Sequence, residues 1–298
     1  MLLYWKPVAE KMMDDQKRKV LEYFPMKNKF LAILFFWDNG SSKVYVRKKQ
    51  QYWTDIWLET RIFWQDEWVV WNRENVIELI EKLNKDDSCV WIIVQLPLPK
   101  ELAEYKNEIL SAIDPTKDVD GLGWTLVWKS FFDMLSFTPA TPKAVMSLLD
   151  YYDLGNMKCK KVAIIWQSTI VWKPLALECL KRGAEIACFD INNTPWEIKA
   201  YTKHADYIFS ATWQIHLVDE SFIWENKNQI VIDIWYGHKD WKAVWDVNIE
   251  KIEDKVLHYT PVPWGVGPLT IASLFSNVFD LREVFHIKTT SFSWKGKA

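Results

Sequence analysis

A tyrosine and a lysine four residues apart are the first pair of side chains that could do chemistry. Tyr45 and Lys49 share one face of a predicted helix, because residues i and i+4 of an α-helix lie above one another. A lysine that is partly buried is pulled toward its neutral form and can then relay protons. By spacing alone, the pair is also typical of a solvated lysine packed along a surface tyrosine.

Two polar residues follow in segments of distinctive sequence. Gln95 ends a predicted strand within WIIVQLPLP, which spans Trp91–Pro99, and Asp120 lies within KDVDG, which spans Lys117–Gly121. Both side chains carry strong hydrogen-bond acceptors. The alternative interpretations are an amide that satisfies loop backbone and an acidic turn.

A third candidate site lies between a short strand, Lys161–Ile165, and a helix, Lys173–Lys181. The loop contains Trp166, Gln167, Ser168 and Trp172. Strand-to-helix junctions of this kind bind phosphate, because the first N–H groups of the helix are unpaired and its dipole favours anions.

The strand after this helix, Ala184–Phe189, ends at an acidic residue. Asp190 lies at about the distance past the loop at which a carboxylate accepts a hydrogen bond from a ribose 2′-hydroxyl. A carboxylate in that place would repel a 2′-phosphate. A loop aspartate that caps the following turn is the alternative.

The elements that must position these residues alternate between strand and helix. Apolar runs predict strands, and helical periodicity with interleaved charges predicts helices. The predicted strands are Phe30–Phe36, Arg61–Val70, Cys89–Gln95, Lys161–Ile165, Ala184–Phe189, Tyr207–Ser210 and Ile230–Ile234. The predicted helices are Pro7–Phe24, Val44–Ile56, Arg73–Asn84, Pro142–Tyr152, Lys173–Lys181 and Leu269–Phe279.

This alternation predicts mostly parallel sheets in two α/β domains. The boundary is expected near Thr138, so that residues 1–138 plus 271–298 form one domain and residues 139–270 form a Rossmann-like dinucleotide-binding domain. An active cleft is expected between the two. A chain of 298 residues is long enough for two such cores.

Composition excludes several classes of function. A formal net charge of -2 gives no electrostatic reason to bind nucleic acid or an anionic membrane surface. The four cysteines lack metal-ligand spacing, so no metal site is predicted, and reduced thiols are expected. No run of about 18 apolar residues occurs and no secretory leader is evident, so a cytoplasmic protein is expected.

The motifs resemble those of one family over nearly the whole chain. Ser42–Lys49 matches the pattern SxxYVxxK, and Trp91–Pro99 and Lys117–Gly121 are similar to GIxVQLPLP and KDVDG. Trp166–Pro174 is similar to GxSxxVGxP, and Thr260–Thr270 is similar to TPVPGGVGPMT. The chain is thus identified as a member of the bifunctional 5,10-methylene-tetrahydrofolate dehydrogenase/cyclohydrolase family.

This resemblance implies an activity and a set of roles. It implies oxidation of 5,10-methylene-tetrahydrofolate with NAD(P), hydrolysis of the methenyl product to 10-formyl-tetrahydrofolate, and a homodimer. The implied catalytic residues are Lys49, Tyr45, Gln95 and Asp120. The implied substrate-binding residues are Tyr45, Gln95, Asp120, Pro263, Gly267 and Pro268, and the cofactor-binding residues are Trp166, Gln167, Ser168, Trp172, Asp190 and Tyr236.

The choice between NADP and NAD depends on two departures from the family pattern. The residue before Ser168 is usually an arginine that suits a 2′-phosphate, and here it is Gln167. A His-Ser pair is frequent where this chain has Phe189 and Asp190. The cofactor is therefore expected to be NADP or NAD, with NAD favoured.

Tryptophan stands where the family has glycine. The chain has 20 Trp and 9 Gly, whereas average usage predicts about 21 glycines. The eleven positions are Trp5, Trp37, Trp57, Trp91, Trp128, Trp166, Trp172, Trp213, Trp235, Trp245 and Trp264. We hypothesise that the gene comes from an organism that reads UGA as glycine, translated here with a code in which UGA means tryptophan.

If the indoles at 166 and 172 are real, they should block the dinucleotide, because a phosphate turn needs close backbone approach and positive φ. The alternative function is then a catalytically impaired folate-binding homologue. A monofunctional dehydrogenase is disfavoured by the presence of Lys49 with Gln95. An unrelated NAD-dependent dehydrogenase has no reason to carry the KDVDG and TPVP segments.

Overall fold

The computed structural model describes residues 1–23, 29–36, 40–55, 59–64, 71–166, 172–212, 214–224, 227–234, 236–239, 242–261 and 266–285. The chain forms two compact units. The first unit comprises Asp14–Phe137 and Phe275–Ala298, and the second comprises Met1–Met13 and Thr138–Leu274. None of the helices in the described ranges combines the length and apolar character needed to span a bilayer.

The structure confirms the alternation of strands and helices. The strands are β1 (Phe30–Phe35), β2 (Glu59–Trp64), β3 (Cys89–Val94), β4 (Lys161–Trp166), β5 (Glu185–Phe189), β6 (Tyr207–Ala211), β7 (Ile230–Asp233), β8 (Tyr236–Lys239), β9 (Lys242–Trp245) and β10 (His258–Tyr259). The helices are α1 (Lys6–Tyr23), α2 (Gly40–Asp55), α3 (Arg73–Lys85), α4 (Lys100–Ala103), α5 (Lys106–Ser111), α6 (Trp124–Phe131), α7 (Ala140–Tyr151), α8 (Trp172–Lys181), α9 (Pro195–Thr202), α10 (Ile249–Ile252) and α11 (Gly267–Val284).

The first unit contains a parallel sheet in the order β2-β1-β3. Every residue of the central strand β1 is buried, as its unbroken apolar sequence FLAILF predicts. Helix α3 covers the sheet with Val76, Ile80 and Leu83, which recur at helical spacing and are buried. The sheet and this helix form one apolar core.

Helix α2 is held in the first unit by one large side chain. Trp53 is fully buried, and its ring centre lies 3.7 Å from that of Phe275 in α11. Aromatic contacts of this kind dominate the energetics of small cores. They fix the rotation of α2, and Lys49 lies one turn before Trp53.

The second unit contains a five-stranded parallel sheet in the order β10-β7-β6-β4-β5. Strand β4 pairs with β5 on one side and with β6 on the other. After β4 the chain passes through α8 to β5, and it then crosses to the opposite side of β4 to form β6. Leu2 forms a parallel bridge to Tyr259 of β10. This pairing explains why the first thirteen residues group with the second unit.

Most of the predicted elements are confirmed. The seven predicted strands correspond to β1–β7, and the six predicted helices correspond to α1, α2, α3, α7, α8 and α11. The second half of the predicted strand Arg61–Val70, residues 65–70, lies outside the described residues. The predicted functional assignment of each domain range remains a prediction.

Several short elements were not predicted. Helices α4 and α5 have four and six residues, too few for helical periodicity to show. Helix α9 did have a readable signal, because Thr194 and Glu197 form a capping box with Pro195 at the first helical position. The antiparallel pair β8 and β9 was also missed.

Candidate functional site

Lys49 and Gln95 meet in the first unit. The Lys49 Nζ donates a hydrogen bond to the Gln95 Oε1 at 3.1 Å. Lys49 lies in α2, and Gln95 directly follows β3. The sequence-based expectation of a lysine next to this glutamine agrees with the geometry.

The orientation of the Gln95 amide is fixed by its neighbours. Its backbone N–H donates to the carbonyl of Leu34 at 2.9 Å, which continues the ladder between β3 and β1. Its side-chain Nε2 donates to the carbonyl of Leu96 at 2.9 Å. Because the amide nitrogen is occupied in this way, the amide oxygen is the atom presented to Lys49.

Asp120 is the third member of this group, and it interacts electrostatically with Lys49. Burial lowers the pKa of the Lys49 ammonium, and the negative charge of Asp120 opposes that shift. Burial likewise raises the pKa of Asp120, and Lys49 opposes it. A lysine whose pKa is lowered, which is held by an amide oxygen and lies in the field of a carboxylate, gives up its proton more readily than an exposed lysine.

The lysine of the KDVDG segment has a different task. The Lys117 Nζ donates to the carbonyls of Leu83, Asn84 and Asp86 at 2.9, 2.6 and 3.0 Å. These carbonyls end α3, where the helix leaves its acceptors unpaired and its dipole favours a cation. Lys117 therefore caps a helix.

Asp118 is a buried residue that the sequence analysis did not single out. Its Oδ1 accepts from the Gly121 N–H at 2.9 Å and its Oδ2 accepts from the Gly123 N–H at 2.8 Å. Burial raises the pKa of its carboxyl to about 7, and the charge of Asp120 adds to the shift, while the backbone N–H groups oppose it. Only its position two residues before Asp120 could have signalled it.

The other predicted folate-site residues are only partly described. Tyr45 lies in α2 one turn before Lys49, and its side chain lies outside the described part of the chain. Gly267 and Pro268 are the first two residues of α11, where a proline suits the opening turn of a helix. Pro263 lies outside the described residues.

The topology of the second unit fits a dinucleotide. The chain continues from β4 to β5 on one side and from β6 to β7 on the other. The sheet therefore has a topological switch point between the carboxyl ends of β4 and β6, where folds of this kind bind ligands. Trp166 ends β4 and Trp172 begins α8. Gln167 and Ser168 lie outside the described residues, as does the rest of that loop.

Two large side chains at this junction fit a dinucleotide less well than the topology does. Trp172 is partly buried against the apolar core of the second unit, and the side chain of Trp166 lies outside the described part. Indoles in place of glycine prevent the close backbone approach that a pyrophosphate needs. Glycine at both positions would fit.

Asp190 directly follows β5, the strand beside β4. Its Oδ1 accepts from the Asn192 N–H at 2.8 Å, and its own N–H donates to the Asn193 Oδ1 at 2.8 Å. It thus lies at the strand end where a ribose-binding carboxylate belongs, and it also stabilises its own turn. Tyr236 begins β8, and its side chain lies outside the described part.

Two further aspartates are buried at the carboxyl edge of this sheet. Asp246 accepts from the Ser210 hydroxyl at 3.0 Å, the Gln214 N–H at 3.1 Å and the Thr212 N–H. Asp233 accepts from the N–H of Val247 at 2.9 Å. Neither residue was singled out from the sequence, and both join the loops that follow β6 and β7.

These two units define a class of protein: an α/β protein with one Rossmann-like unit and one unit that holds a lysine of lowered pKa against an amide oxygen. Comparison with known families agrees. Residues 3–120 match the catalytic domain of tetrahydrofolate dehydrogenase/cyclohydrolase, and residues 139–286 match its NAD(P)-binding domain.

Individual relatives cover nearly the whole chain. The bifunctional protein FolD of Thermodesulfovibrio yellowstonii is 34% identical over 283 residues, which cover 93% of this chain and 94% of that protein. FolD of Mycoplasma mycoides is 33% identical over 291 residues, with 96% and 98% coverage. The crystal structure of the Campylobacter jejuni bifunctional FolD methylenetetrahydrofolate dehydrogenase/cyclohydrolase has a TM-score of 0.86 at 32% identity, covering 95% of this chain and 99% of that one.

The chain therefore belongs to the tetrahydrofolate dehydrogenase/cyclohydrolase family, as its motifs predicted. It is an oxidoreductase and a hydrolase of folate one-carbon metabolism, and its second domain is of the family's NAD(P)-binding type.

The raised pKa of Asp118 predicts a pH-dependent stability. Between its ordinary value of 3.8 and about 7, the folded chain holds a proton that the unfolded chain has released. The free energy of unfolding should therefore fall as pH rises through this window, by at most about 4 kcal/mol from this group. When the free energy of unfolding is measured with urea from pH 4.5 to 8, it should decline less for Asp118→Asn than for the parent. The same decline in both proteins would contradict the raised pKa of Asp118.

Proposed function

We propose that Lys49, Gln95 and Asp120 form the folate-handling centre, at which 5,10-methylene-tetrahydrofolate is oxidised to the methenyl compound and that product is hydrolysed to 10-formyl-tetrahydrofolate. The hydrogen bond between Lys49 and Gln95 carries this proposal. It supports the proposal because a partly buried lysine of lowered pKa, held by an amide oxygen, is suited to accept a proton.

In the hydrolytic step, neutral Lys49 accepts a proton as water adds to the methenyl carbon. The remaining hydroxyl proton moves to N5 as the bond between that nitrogen and the carbon breaks, and one proton is released overall. Gln95 holds the lysine through its amide oxygen. Asp120 accepts hydrogen bonds from the amino and ring N–H groups of the pterin, and the ring of Tyr45 supports the folate.

In the oxidative step the bound dinucleotide supplies the hydride acceptor for the methylene carbon. The chain contributes the binding surface: Ser168 and the first turn of α8 for the phosphates, and Asp190 for the ribose. Pro263, Gly267 and Pro268 complete the folate-binding residues.

Replacement of Lys49 by arginine should separate the two activities. Arginine keeps the positive charge but cannot lose its proton at any ordinary pH, so the hydrolytic kcat should fall by roughly 100-fold or more. Oxidation of methylene-tetrahydrofolate should fall much less, because hydride transfer needs no proton relay. Both rates are measured by absorbance in the same preparation.

Arg47→Lys provides the matched control for this experiment. Arg47 is an exposed residue on the same helix, and exchanging it leaves the helix charge unchanged. Both activities of this control should stay close to those of the parent. Hydrolysis at the parental rate in Lys49→Arg would exclude the lysine as the proton acceptor.

We infer that NAD is preferred to NADP. Asp190 lies at the end of β5, and its carboxylate would repel a 2′-phosphate. The kcat/KM for NAD should exceed that for NADP. Asp190→Asn should lower the ratio of kcat/KM for NAD to kcat/KM for NADP by about tenfold. Asp153→Asn, at an unrelated turn after α7, serves as the control, and a parent that prefers NADP would overturn the inference.

We also propose a cytoplasmic homodimer in which the second domains pair. Strand β5 is an edge strand, and exposed apolar residues flank it, with Ile191 at 76% and Trp196 at 77% exposure. An exposed sheet edge with apolar neighbours is suited to pairing with a second copy. Light scattering of the purified chain distinguishes one copy from two.

We further propose that the tryptophans at family glycine positions are glycine in the cellular protein. The sequence has 20 Trp and 9 Gly, and glycine at the eleven family positions would raise the glycine count to 20, close to average usage.

Peptide mapping of the chain from its native source tests this proposal directly. Glycine is expected at 166, 172 and 264, and the protein should then reduce a dinucleotide with methylene-tetrahydrofolate. Tryptophan at those positions, together with no dinucleotide reduction, would contradict the proposal. The chain would then be a folate-binding homologue without its dehydrogenase.

A further inference from the structure

The turn that carries Asp120 is tied together by a side chain from within it. The two oxygens of Asp118 reach forward past Asp120 and accept from the N–H groups of Gly121 and Gly123. In the sequence, Asp120 therefore lies between Asp118, which accepts both hydrogen bonds, and the two glycines that donate them. Any change in the position of the Asp118 carboxylate must move the main chain at residue 120.

The geometry of the turn depends on the small size of its glycines. Gly121 has a φ of +71°, a conformation that other residues adopt only with strain. A Cβ on Gly123 would lie 2.9 Å from the Oδ2 of Asp118. The close approach of the carboxylate to both N–H groups is thus built into the sequence of this turn.

Neighbouring elements hold the start of the same turn. The N–H of Ile92 in β3 donates to the carbonyl of Lys117 at 2.9 Å. The side-chain Nδ2 of Asn277 in α11 donates to the carbonyl of Val119 at 2.9 Å. The main chain is therefore fixed immediately before Asp120 by these bonds and immediately after it by the bonds to Asp118.

Asp118 has little access to a ligand. It is 2% exposed, and both carboxylate oxygens are occupied by the backbone of the turn. Burying a carboxylate is unfavourable unless hydrogen bonds compensate, so a hydrophobic residue would have been the simpler filling for this space. The feature that a hydrophobic residue could not supply is the fixed turn at residue 120.

We propose that Asp118 is a positioning residue of the folate site, which acts through the N–H groups of Gly121 and Gly123 to aim the Asp120 carboxylate at the pterin. This inference rests on the proposed function, in which Asp120 binds the pterin. Asn277 supports the same turn from α11.

The primary test is Asp118→Asn in the full chain. The asparagine keeps one acceptor oxygen but places an NH2 donor against the second backbone N–H, so the turn loses one of its two bonds. The KM for methenyl-tetrahydrofolate in the hydrolytic reaction should rise about tenfold, while kcat changes much less. The hydrolytic reaction is used because it needs no dinucleotide.

A double variant separates positioning from a general structural role. If Asp118 acts through Asp120, Asp118→Asn should raise the KM of the parent but add almost nothing to Asp120→Asn. If Asp118 had only a general structural role, the KM of the double variant would rise by the product of the two single-variant increases. Asp114→Asn is the matched control, because Asp114 caps Thr116 N–H and hydroxyl in the same loop without contacting the turn at residue 120. Its KM should equal that of the parent.

The outcomes are distinguishable. If Asp120→Asn leaves the KM unchanged, the proposed role of Asp120 fails. If Asp120→Asn raises the KM but Asp118→Asn does not, or if their effects multiply, the positioning role alone is overturned. Should Asp118→Asn fail to fold, Gly123→Ala is the second variant, because its Cβ would press on the Asp118 Oδ2. An unchanged KM in Gly123→Ala would also overturn the positioning role of Asp118.

Discussion

The hydrogen bond between Lys49 and Gln95 is the interaction on which the folate half of the molecule depends. Burial lowers the lysine pKa, and a lysine in such a place is useful only if an acceptor keeps its Nζ in position when it is neutral. Gln95 can do so because its own amide nitrogen is held by Leu96. An uncharged amide leaves the proton affinity of the lysine to be set by burial and by Asp120.

The surrounding elements hold Lys49 and Gln95 within hydrogen-bond distance of each other. Strand β3 must be in register with β1, since a slip of one residue would turn Gln95 to the other face of the sheet. Helix α2 must be fixed in rotation, and the buried Trp53 provides this one turn after Lys49. The long apolar runs of the sequence therefore serve the chemistry by setting register and rotation.

The sequence predicted the main strands and helices because each is an apolar run or an amphipathic repeat long enough to show a period. It predicted the Lys49, Gln95 and Asp120 group by resemblance, since no local pattern brings residues 49, 95 and 120 together. It could not assign separate tasks within KDVDG. Lys117 caps α3, Asp118 binds its own turn and Asp120 interacts electrostatically with Lys49. The tasks of Lys117 and Asp120 depend on residues that are distant in the sequence.

The second unit shows how differently a fold and its binding site respond to a change of residue. The five-stranded parallel sheet is specified by many apolar residues, so no single position decides whether it forms. The phosphate-binding junction depends on a few positions where backbone must approach the ligand, and 166 and 172 are two of them. Tryptophan at these positions is thus compatible with the observed topology but opposes the chemistry of the family. In the proposed function the proton transfers of hydrolysis involve Lys49 and water, so the identity of residues 166 and 172 bears on the oxidative step.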